Sequence, residues 1–140
     1  MAHGFASPDT YLAQRILGAG PEQQAALLME AGQRHLGKGM QALGRGDLAL
    51  ASASFIRVSQ VLGEATLRLD LRQGGALARN LSHLYRWWGQ EVMVASAARD
   101  FTRLKHVAEG MSGLREAWES QHHRRQKDLA IEGLGEERVV

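Results

Sequence analysis

Cysteine is absent from the 140 residues, which excludes disulfides and thiolate chemistry. Proline is nearly absent: Pro8 and Pro21 are the two, so nothing after residue 21 forbids long helices. No apolar run approaches the ~20 residues of a membrane span. The opening MAHGFASPDT has neither the basic nor the apolar region of a signal peptide. Strand-type alternation of β-branched residues is also missing. Charge of one sign does not dominate. With 17 Lys and Arg against 15 Asp and Glu the net charge is +2, far from the footprint of a dedicated nucleic-acid binder. These absences describe a soluble, cytoplasmic, all-α protein of one domain.

What is present is helical periodicity. Leu77, Leu81, Leu84, Trp88, Val92 and Ala95 recur in steps of three and four and share one face of a helix running to about Ala98. Upstream, Pro21-Glu22 suits a helix start, with Leu28, Met29, Leu36, Met40 and Leu43 as its buried side. Gly32 and Gly39, one heptad apart, point to close helix approach. Gly44-Arg45-Gly46-Asp47 is a turn whose Asp47 caps the next helix. That helix carries Leu48, Ala51, Phe55, Val58, Leu62, Ala65 and Leu69, the seam of an antiparallel bundle. Asp70 and Gln73 resemble a capping box ahead of Gly74-Gly75. Asp100 caps a fourth helix bearing Leu104, Val107, Met111, Leu114 and Trp118. The expected architecture is an antiparallel up-and-down four-helix bundle over residues 21–120. A loose leader, 1–20, precedes it, and a mobile charged tail, 121–140, follows.

Catalytic chemistry finds no foothold. A di-metal bundle needs two Glu-x-x-His pairs, and Glu119 with His122 is a solitary match. His35, His83 and His106 are scattered over three helices. Gly18-Ala19-Gly20 follows no strand, so it is not a phosphate loop. No nucleophile sits in a recognisable strained turn. The chain reads as a non-enzyme without metal or cofactor.

Surfaces remain. Ile56 and Leu67 on helix two, and Tyr85 and Trp87 on helix three, fall outside the narrow seams. Either they widen the core, or they border grooves that take an amphipathic helix from a partner. Arg72, Arg79 and Arg86, spaced by seven beside Tyr85 and Trp87, form a basic stripe. It is either a solvated helix face or the contact surface of a small nucleic-acid-binding or regulatory adaptor.

Leu69-Asp70, Gly74-Gly75-Ala76-Leu77-Ala78, Leu81 and Leu84-Tyr85 together resemble the central motif of the flagellar export chaperone family, FliS. Leu114-Arg115-Glu116-Ala117-Trp118 is similar to the family's helix-four ending. Pro21-Glu22, Gly46-Asp47 and Tyr11 fall where the family has counterparts. The first helix reads Leu28-Met29-Glu30-Ala31 in place of the family's Leu-Tyr-(Asp/Asn)-Gly run, the mark of a divergent member. The resemblance implies a cytosolic bundle that binds the disordered C-terminal segment of flagellin, prevents premature polymerisation and presents it to the export gate. It places Asp70, Ala78, Leu81 and Tyr85 around the client groove, with Tyr11 of the leader able to occupy it. Ile56, Leu67 and Trp87 complete the expected client-binding set. Membrane insertion and nucleic-acid binding are not expected, and a homodimer is left open.

Overall fold

The computed structural model describes Leu12, Arg15 and residues 20–139, with side chains as far as residue 132. Four helices follow one another: α1 (Pro21–Gly44), α2 (Leu48–Leu67), α3 (Gly75–Ala97) and α4 (Phe101–Val139). α1 packs on α2 and α4, and α3 packs on the same two, so α1 and α3 occupy opposite corners of a square. Neighbours run antiparallel. Glu22 meets Arg125 while Gln33 meets Ala108, and Glu91 near the end of α3 meets Arg103 at the start of α4. This is the up-and-down four-helix bundle expected from the periodicity. No described helix is long and apolar enough to cross a membrane.

Local chemistry sets the helix ends. Asp47 Oδ1 accepts the Leu50 amide at 3.2 Å, and Asp100 Oδ1 accepts the Arg103 amide at 3.1 Å. Each satisfies a first-turn N–H that the helix itself leaves open. Asp70 behaves differently from the expected capping box. Its Oδ1 takes the amides of Arg72 (3.1 Å) and Gln73 (3.0 Å), which closes the turn before α3. α3 itself starts at Gly75 without a side-chain cap. Both glycines of the pair are required there. A Cβ on Gly74 would strike the Asp70 carbonyl oxygen, and Gly75 sits at φ +59°, a conformation costly for any residue with a Cβ.

The core is dominated by Leu, Ala, Met and Val, with Phe55, Tyr85 and Trp88 as its large rings. Tight approach at glycine, foreseen for α1, is real. A Cβ on Gly39 would come within 2.6 Å of the Phe55 ring, and one on Gly32 would overlap the end of Met111. Across the bundle Gly110 admits Trp88 in the same way, with 2.9 Å to the indole.

Three expectations need revision. On α2 the seam begins at Ala51, since Leu48 is 54% exposed and Leu69 lies past the end of the helix. On α3 the buried stripe is Ala78, Leu81, Tyr85, Trp88, Val92 and Ala95. Leu77 is 62% exposed and Leu84 only partly covered, so the stripe is rotated by about one residue and Tyr85 lies in the core. α4, for its part, does not end near residue 120 but runs as one helix to Val139. Nothing in 121–139 stops it, because Gly133 and Gly135 weaken a helix without the steric block of a proline. Residues 119–132 are exposed except for His122, so this extension stands clear of the core.

Candidate functional site

At the end of the bundle where α1 begins and α2 finishes, the diagonal helices α1 and α3 leave a crevice of about 250 Å³. Its deep wall is apolar: Leu28 of α1, Ala65 of α2, and Ala78, Leu81 and Tyr85 of α3 are each at most 6% exposed. Leu69 and Leu77 form the lip, and Trp118 of α4 closes one side. Three of the lining side chains (Ala25, Ala65 and Ala78) are alanines. Small groups at facing positions leave the space that leucines would fill.

The polar groups at this site are engaged elsewhere or enclosed. Arg68 donates to Gln24 Oε1 at 3.2 Å and pairs with Glu64 at 2.9 Å. Glu22 uses Oε1 for Arg125, and its Oε2 is enclosed without a partner. Asp70 is committed to its turn. Burial pushes the Tyr85 phenol above its ordinary pKa, against a smaller opposing effect of the nearby Trp118 side chain. The phenol is therefore neutral at physiological pH. Tyr85 and Trp88 rings stack obliquely, 6.1 Å apart at 40°. No nucleophile is paired with a base here. Among the described residues no cluster of three His, Asp or Glu could hold a metal. The chemistry the crevice offers is burial of apolar surface.

The sequence profile described as "Flagellar protein FliS" matches residues 5–125. The chain belongs to the FliS family. A curated relative, the flagellar secretion chaperone FliSB of Pseudomonas aeruginosa, is 24% identical over 109 residues, which span 78% of this chain and 86% of that protein. The crevice lies wholly within the matched region.

Within this FliS-family bundle the expected site residues divide into groups. Asp70, Ala78, Leu81 and Tyr85 come together at the crevice. Ile56 (49% exposed), Leu67 (81%) and Trp87 (52%) stand outside it, on the outer surfaces of α2 and α3. Tyr11 lies outside the described residues. Of the leader, the helical Leu12 packs partly buried against the core. Sequence reasoning missed Ala25, Leu28, Leu77 and Trp118 as crevice residues. Leu28 and Leu77 read as ordinary seam positions, and no periodicity marks the spot where two diagonal helices fail to meet. The run of alanines at 25, 65 and 78 was the available signal.

Proposed function

We propose that this protein is a cytoplasmic chaperone of flagellar export that seats the C-terminal segment of flagellin in the α1–α3 crevice. The observation that carries the reading is an open, apolar-walled gap in the bundle, with an exposed leucine, Leu77, at its lip. A disordered client loses conformational entropy on binding and must recover it over a broad apolar contact. A bundle whose four neighbouring helix pairs already pack on one another offers that contact without reorganising. Ala78, Leu81 and Tyr85 supply the wall, Asp70 holds the rim turn, and Tyr11 of the leader is the natural occupant while the client is absent. Bound client cannot polymerise, and handover to an export-gate protein releases it without a nucleotide or other cofactor.

Leu77→Asp tests the reading, because Leu77 touches the crevice but is exposed and contributes little to the core. Titration calorimetry with the C-terminal flagellin segment should show binding weakened by about tenfold or more. Circular dichroism should stay helical. Equal affinity for the wild type and the variant would count against the crevice.

A further inference from the structure

The side of the crevice formed by Trp118 carries a polar group that the folded chain leaves unused. Its indole Nε1 is enclosed and has no hydrogen-bond partner. At the rim Glu22 Oε2 is in the same position, while Oε1 of that carboxylate takes Arg125 at 2.6 Å. Among the described residues the other enclosed side-chain atoms without partners are Gln33 Oε1 and Arg115 Nε, and neither residue lines the crevice. A stranded donor and a stranded acceptor therefore belong to residues that border one cavity.

An enclosed N–H without an acceptor has given up its water and received nothing in return. Folded chains leave few such groups, and each calls for a reason. A phenylalanine at position 118 would set a ring against the core without the stranded donor. The chemistry around the indole narrows what its missing acceptor is. A carboxylate fits poorly, because Glu22 already brings one to the crevice. The neighbouring cations Arg68 and Arg125 are engaged with Glu64 and Glu22, so a second enclosed negative charge would find no counter-ion. A carbonyl oxygen of an amide accepts from an indole N–H with no net charge to compensate. Amides inside a regular helix are already paired, so the amide must come from extended backbone, a helix end or an Asn or Gln side chain.

We infer that the crevice recognises an unpaired amide group of the client, whose carbonyl oxygen accepts a hydrogen bond from Trp118 Nε1. The N–H is covered in the fold described above, so the indole rotates toward the cavity it borders as the client enters. Burial of apolar surface is non-directional and supplies affinity. A hydrogen bond is directional and fixes which part of the segment sits against Trp118. This rests on the client reading above and adds to it the kind of group that the client presents.

The test uses the full chain and the C-terminal flagellin segment. Trp118→Phe keeps an aromatic ring and removes the donor. It should weaken binding about fivefold, the worth of one hydrogen bond, with helix content unchanged. The chain has three tryptophans, and the indole N–H resonance missing from the Trp118→Phe spectrum identifies that of Trp118. In the wild type the segment should move this resonance downfield, as a new hydrogen bond to the indole does. A variant that binds as tightly as the wild type overturns amide recognition, and so does a resonance that stays in place. Repeating the titrations with a segment whose Asn and Gln residues are replaced by alanine separates the two sources. A persisting difference between wild type and Trp118→Phe assigns a backbone amide, and a vanished one assigns a side-chain carboxamide. If Leu77→Asp weakens binding while Trp118→Phe does not, the crevice stands as a purely apolar seat and the amide reading falls. Absence of any binding by the wild type removes both.

Discussion

Arg125, on the stretch of α4 that extends past the core, donates from Nη1 to Glu22 Oε1 at 2.6 Å across 103 positions of sequence. Glu22 is the partner with more to lose, since its side chain is 14% exposed against 57% for Arg125. It also sits in the first turn of α1, where negative charge suits the helix dipole. The extension of α4 is thus tied to the rim of the crevice. Arg125→Ala leaves an enclosed carboxylate without its cation, which disfavours the folded first turn. Amides in residues 24–28 should then exchange faster, while total helix content barely changes. Unaltered exchange would show that the pair does not hold the rim.

Gly37 and Gly39 give a paired test of packing. Gly37→Ala places a methyl where nothing lies within 4 Å and should raise stability by up to ~1 kcal/mol through helix propensity alone. Gly39→Ala drives the same methyl against the Phe55 ring, whose nearest atom would be 2.6 Å away. Overpacking of this kind costs ~1–3 kcal/mol, so the net change should be destabilising. Urea denaturation of the two variants should therefore move in opposite directions.

Glu91 and Arg103 clamp the α3–α4 end through two hydrogen bonds, 2.6 Å to Oε1 and 2.9 Å to Oε2. The Arg103 side-chain hydrogen bond, more than its charge, holds the Glu91 carboxyl below its ordinary pKa, against a smaller opposing effect of burial. A depressed carboxylate favours the fold above its unfolded value of ~4.3, and that contribution is lost as pH falls through the folded value. Glu91→Gln should therefore lower the unfolding temperature at pH 7. The gap from the wild type should narrow as pH falls below about 4.3 and close only once the folded carboxyl, held lower than that, is itself protonated. A constant gap across that range would mean that the carboxylate's charge plays no part.

What could be read from the sequence was local, and what could not was relational. Asp47 and Asp100 were legible as caps because a cap depends on residues three apart. Gly32 and Gly39 were legible as contact points because their heptad spacing matches a seam. The rotation of α3 was hidden because Leu77, Leu81 and Leu84 make as good a stripe as Ala78, Leu81 and Tyr85. The tight Gly74-Gly75 entry and the positions of α2 and α4 decide between them. The length of α4 was hidden for another reason: residues 121–139 lose the apolar stripe, yet a helix can continue without one where no residue forbids it. The crevice is a gap between helices distant in sequence, and no single stretch records a gap. Ile56, Leu67 and Trp87 were visible as surplus apolar residues, but their separation from Asp70, Ala78, Leu81 and Tyr85 appears only in three dimensions.

Tyr85 borders the α1–α3 crevice on one side and a shallow depression between α2 and α3 on the other, so a single ring is the partition between two rooms. That ring is 2% exposed and rests against Trp88, so the partition is part of the frame and is already set before anything enters. Cutting it back to alanine would knock the two rooms into one, and the same cut would leave a hole in the middle of the molecule.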